Sequence, residues 1–102
     1  AFFLMGRKAF RKLGGFDEGY FLHVEDVDLC RRVIEAGGSV IYQPLAGALH
    51  YGSTSRVPWG VVQDHKARSL ARYFRKFAKD PFERALVMLA TPLIGLVLRL
   101  RG

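Results

Sequence analysis

Two glycine pairs and three prolines limit how long any regular element of this chain can be. Gly14-Gly15 and Gly37-Gly38 each offer the left-handed backbone that stops a helix, while Pro44, Pro58 and Pro81 resist the interior of a helix or a sheet. The intervals between these breaks are short in the first half and long in the second. Residues 7–13 read as a short helix, because Ala9, Phe10 and Leu13 fall at helical spacing. Residues 25–36 read as another. Glu25, Asp26 and Asp28 occupy its first turn, where the helix dipole favours acid, and Val27, Cys30, Val33 and Ile34 form an apolar face with Arg31 and Arg32 turned away. The apolar residues 1–5, the β-branched and aromatic run 39–42 and the apolar run 46–51 predict short strands, with a Gly/Ser loop over 52–55. Pro58 suits a first helical turn, so a helix is predicted over 59–79 and a second, very apolar one over 82–101, containing Pro92 and Gly95.

With 102 residues, half of them hydrophobic and a quarter charged, the chain is one domain or part of one and is not disordered. It lacks an initiating Met and a signal peptide, and reads as a piece of a longer protein. A single cysteine, Cys30, excludes an internal disulfide framework and a Cys-rich zinc site, and its place on the apolar helix face predicts a buried, inert thiol. Charge is uneven. Residues 1–51 hold six Lys/Arg and six Asp/Glu, whereas residues 52–102 hold ten and three, so the whole excess of +7 lies in the second half. Arg68, Arg72, Arg75 and Lys79 recur along one side of the predicted helix, opposite Leu70, Phe74 and Phe77. Such a half is either a solvated helix face or a surface for nucleic acid, an anionic membrane or a phosphorylated ligand. The longest uncharged run, residues 85–98, has 14 residues, short of the roughly 18 needed to span a bilayer. It suits an interfacial helix, or one packed on protein or on a second copy of the chain.

The densest polar cluster is His23-Val24-Glu25-Asp26-Val27-Asp28. Three carboxylates within four residues repel one another, and the unpaired N–H groups of a first helical turn relieve part of that cost. On spacing alone the cluster is either a helix cap or a positioned general base or metal ligand. No Walker or GxGxxG pattern is present, and His23, His50 and His65 lack the spacing of a metal-binding helix pair.

The order of motifs carries more than each motif does. Arg7-Lys8-Ala9-Phe10, Gly14-Gly15-Phe16-Asp17-Glu18 with Phe21, Glu25-Asp26-Val27-Asp28-Leu29-Cys30 with Arg32 and Gly37, and then Pro44 and His50 with Gly52 and Ser55, resemble the C-terminal part of the catalytic domain of family 2 glycosyltransferases, in particular the rhamnosyltransferase-like group. The resemblance covers residues 1–57 and leaves 58–102 as a basic, then apolar, helical tail. It implies an α/β chain, the C-terminal portion of a GT-A fold with few short strands among helices. It also implies an inverting transfer of a sugar from a nucleotide-diphosphate donor to the hydroxyl of a glycan or lipid-linked acceptor. On that resemblance Asp26 is the catalytic base, Glu25 and Asp17 face the acceptor, Arg32 and Arg56 face the donor diphosphate, and Asp28 caps the helix. His50 would bind the Mg2+ or Mn2+ that holds the diphosphate.

The DxD metal motif and nucleotide site of such enzymes are missing, since the one Asp-x-Asp here belongs to the Glu-Asp cluster. The chain alone is therefore expected to be inactive and to pair as a symmetric homodimer through uncovered strand edges and burial of the apolar helix 82–98. Its expected place is the cytoplasm, peripheral on the inner face of a bacterial membrane. Nucleic acid is not expected as a partner. The alternative reading is a non-enzymatic basic module that binds membrane or nucleic acid.

Overall fold

The structure is a computed structural model that describes residues 2–52 and 56–101. It contains α1 (Arg7–Lys12), α2 (Glu25–Glu35), α3 (Trp59–Phe77) and α4 (Pro81–Leu100), and no strand among the described residues. All four helices lie where the glycine and proline breaks place them. The expected α/β architecture does not hold. Residues 2–5, 39–42 and 46–51 are irregular, and residues 39–52 are exposed throughout. A strand exists only through the N–H and C=O groups of a neighbour, and β-branched composition cannot supply that neighbour. The loop expected at Ser53, Thr54 and Ser55 lies outside the described residues.

The chain divides into two compact units. One comprises Ala1–Glu18 and Glu25–Arg56, the other Gly19–Val24 and Val57–Gly102. In the first unit α1 closes through Gly14 and Gly15, at φ 84° and 70°, with the Gly15 N–H donating to the Phe10 carbonyl at 2.9 Å. A Cβ on Gly15 would sit 3.3 Å from the Phe10 ring. Phe16 then stands edge-on to Phe10 and Phe3, with ring centroids 5.4 and 5.9 Å apart. The second glycine pair ends α2. Gly37 lies at φ 83°, and the Gly38 N–H donates to the Val33 carbonyl at 2.9 Å.

The buried side of α2 is not the expected one. Val27 and Ile34 are exposed, while Leu29 and the carboxylate of Asp28 are buried. Arg32, predicted to turn outward, turns in. Its Nε donates to Asp28 Oδ1 at 2.6 Å, its Nη1 to the Leu13 carbonyl at 2.7 Å and its Nη2 to the Gly15 carbonyl at 2.8 Å. One guanidinium thus ties α2 to the turn after α1, and the pairing allows Asp28 to be buried as a charge. Asp28 is a buried ion-pair partner, not the helix cap the resemblance implied.

In the second unit α3 and α4 pack side by side as a helical hairpin. The connection is capped reciprocally. Asp80 Oδ1 accepts from the Glu83 N–H at 2.8 Å, Glu83 Oε2 accepts from the Lys79 N–H at 2.6 Å, and Pro81 occupies the first helical turn. At the other end Arg99 donates through Nε and Nη2 to Asp64 Oδ1 at 2.9 and 2.8 Å. Segment Gly19–Val24 lies on α3. Ser69 Oγ donates to the Leu22 carbonyl at 2.7 Å, Arg72 lies 5.5 Å from the Tyr20 ring centre, and Phe21 and His65 stack at 4.5 Å. A Cβ on Gly19 would overlap the Arg72 guanidinium, the far end of a flexible side chain that would have to shift to admit it.

Candidate functional site

The acidic cluster begins on an unusual backbone. His23 and Val24 both lie in the left-handed region, at φ 64° and 73°, immediately before the first residue of α2. Val24 is β-branched and buried. A left-handed valine of this kind costs about 1–3 kcal/mol and persists only where its surroundings hold it. The Ser69–Leu22 bond and the Tyr20–Arg72 contact fix the residues that lead into it.

Beyond this turn the carboxylates meet different fates. Asp28 is fully buried and committed to Arg32. Asp26 is half-buried, and its Oδ1 accepts from the Val27 N–H at 2.8 Å, satisfying one of the unpaired amides of the first turn. Its second oxygen has no partner among the described residues. Glu25 is also half-buried, and its Oε2 is enclosed without a hydrogen-bond partner. An enclosed, unpartnered carboxylate oxygen is costly, and it is an acceptor waiting for a donor. The helix head therefore offers an anchored carboxylate with one oxygen to spare beside a second carboxylate whose hydrogen-bonding capacity is unused. The anchored Asp26 carboxylate can accept a proton from a hydroxyl.

The other residues singled out in the sequence are scattered. Asp17 is half-buried in the loop between α1 and α2. Arg32 lies within two turns of Asp26, but its guanidinium is spent on the tie to Asp28, Leu13 and Gly15. Arg56 is exposed, and so is His50, in the irregular segment after α2. Among the described residues no group of three or more His, Cys, Asp or Glu side chains is gathered to hold a metal. A lone exposed imidazole does not by itself make a divalent-cation site. Two features escaped sequence reasoning. The Arg32 tie had a signal, since Asp28 and Arg32 are four residues apart on one helix. The left-handed His23-Val24 pair had little, since β-branched Val24 disfavours that conformation even though His adopts it more often than most residues.

Comparison with known proteins adds a second line of observation. Over 64 residues the chain is 49% identical to an N-acetylglucosaminyl-diphospho-decaprenol L-rhamnosyltransferase of Mycobacterium tuberculosis, covering 61% of this chain and 21% of that protein. It is 43% identical over 51 residues to the rhamnosyltransferase WbbL of Escherichia coli K12, covering 50% of this chain and 19% of WbbL. It is 48% identical over 52 residues to a pre-mycofactocin glycosyltransferase of M. tuberculosis, covering 50% of this chain and 11% of that protein. The chain thus spans about a fifth or less of the length of these relatives. No family model and no solved structure matches it. All three relatives are glycosyltransferases by name, which supports a glycosyltransferase family for this chain.

Proposed function

We propose that this chain is part of an inverting, family 2-like glycosyltransferase, in which Asp26 is the general base. One observation carries the proposal: a carboxylate anchored through one oxygen at a helix head, in a chain that is 49% identical over 64 residues to a rhamnosyltransferase. In the proposed reaction an acceptor hydroxyl attacks the anomeric carbon of a nucleotide-diphosphate sugar. The new C–O bond forms on the face opposite the departing diphosphate, which leaves with its bonding electron pair, so the configuration inverts. Asp26 takes the hydroxyl proton through the oxygen that Val27 does not hold. Glu25, half-buried next to Asp26 in the first turn of α2, is proposed to orient the acceptor, and Asp17 to add a second acceptor contact.

Arg56, exposed at the end of the first unit, is the residue proposed to face the donor diphosphate. The mycobacterial relative is an N-acetylglucosaminyl-diphospho-decaprenol L-rhamnosyltransferase by name, so a lipid-linked acceptor is the proposed class. Mg2+ or Mn2+ enters only as a partner of the whole enzyme, to which His50 would give one ligand. The 102 residues alone are proposed not to turn over.

Asp26→Asn in the enzyme that carries this chain tests the assignment. Turnover is expected to fall about 10²–10⁴-fold, with donor affinity measured by calorimetry unchanged. Turnover within about tenfold of the parent removes Asp26 from the role.

A further inference from the structure

We infer that the α3–α4 hairpin docks on an anionic lipid surface, with the outer face of α4 lying flat in the headgroup–acyl boundary. The inference stands apart from the transferase reading and rests on α4 itself. On the side toward α3, Val87, Ala90, Thr91, Ile94, Gly95 and Leu98 recur at helical spacing and are half-buried. A helix of a water-soluble surface carries polar residues on the opposite side. Here that side is Leu86, Leu89, Leu93, Leu96, Val97 and Leu100, each between 50% and 75% exposed. No residue from 85 to 98 is charged on any face. A helix that is apolar all round is covered by something, and charge selects the cover.

The second unit holds nine Lys/Arg and three Asp/Glu, an excess of six positive charges. All three acids are engaged: Asp80 and Glu83 in the caps of α4, Asp64 with Arg99. Arg68, Arg75, Lys79, Arg84 and Arg101 are exposed around the hairpin. A second copy of this unit on the same face would bring another six positive charges to the interface. An anionic bilayer supplies both the apolar boundary and the counter-charge.

By length and composition the 20-residue helix could cross a bilayer, contrary to the sequence expectation drawn from its 14-residue uncharged run. Its packing argues for the plane instead. The Asp64–Arg99 pair at one end and the capped turn at the other show that α3 runs beside α4 along its length. Lys66, Arg68, Arg72, Arg75 and Lys76 on α3 would have to enter hydrocarbon with it. An in-plane helix keeps α3 and its cations at the headgroups and immerses only the outer leucine face.

Flotation of the 102-residue chain with vesicles tests this, comparing pure phosphatidylcholine with phosphatidylcholine containing about a third phosphatidylglycerol. Capture by the anionic vesicles is expected to exceed that by the neutral ones roughly tenfold or more, and to fall with added salt. Leu89→Glu with Leu93→Glu should weaken capture roughly tenfold or more, while far-UV dichroism stays unchanged because both side chains are exposed. Single tryptophans at positions 86, 93 and 100, placed one at a time in a Trp59→Phe background, should all be quenched by shallow-brominated lipid. Failure to float with anionic vesicles, or capture indifferent to the double substitution, overturns the inference. Deep quenching at position 93 alone overturns the in-plane arrangement in favour of a spanning helix. A dimer that the glutamates dissociate, with no vesicle binding, assigns the face to a second copy.

Discussion

Each unit of the chain contains an arginine held by an aspartate, and the two pairs are built for different work. Arg32 and Asp28 sit one turn apart on α2, their side chains 18% and 0% exposed, and the same guanidinium also holds two backbone carbonyls of the turn after α1. Arg99 and Asp64 close the far end of the α3–α4 hairpin with side chains 66% and 40% exposed. The first pair replaces a core that short elements cannot provide. The second fastens helices already aligned by apolar contact along their length. Polar geometry thus organises the unit that contains the candidate base, and packing organises the unit proposed to meet lipid.

Breaking the two pairs should separate these roles. Arg32→Ala leaves the Asp28 carboxylate buried without its guanidinium partner and should cost about 3–5 kcal/mol. Urea unfolding and loss of amide protection at Gly14 and Gly15 would report it. Arg32→Lys should recover only part of this, because a single ammonium cannot serve a carboxylate and two carbonyls in a plane. Ser69→Ala should cost about 1–2 kcal/mol, since the buried hydroxyl is the donor to the Leu22 carbonyl. Amide exchange should rise over residues 21–24 before it rises in α4. Asp80→Ala removes a helix cap and should cost about 1 kcal/mol, seen as fraying of the first turn of α4. Arg99→Ala should cost at most about 1 kcal/mol, and the loss should shrink in molar salt. If Arg99→Ala proved as damaging as Arg32→Ala, the contrast between the units would be wrong.

Helices were legible in the sequence because their signals are local: glycine at each stop in the first half, proline at each start in the second, acid in the first turn of α2. Strands were not, because the residues that would pair with 39–42 or 46–51 are not specified by those segments themselves. The face of α2 misled for a related reason. Hydropathy counts Val27 and Ile34 as core and Asp28 as surface, whereas a carboxylate matched by an arginine one turn later can be buried in preference to both. The acidic head of α2 was readable as a site, but its left-handed approach through His23 and Val24 was not. That conformation is imposed by the grip of α3 on the residues before it, a grip made by side chains more than forty positions away in sequence.

The six residues Gly19–Val24 belong to the second unit although the chain on both sides of them belongs to the first. The two units are therefore interleaved rather than strung in tandem, and no single cut of the chain separates them. A fragment ending near residue 57 would lack the hydroxyl donor to Leu22 and the cations over Tyr20, and a fragment beginning there would lack the segment that α3 holds. A recombination event that exchanged the basic, apolar tail for another would have to bring a matching seat for this segment. The modularity suggested by the change in charge at mid-chain is thus compositional, and the fold does not follow it.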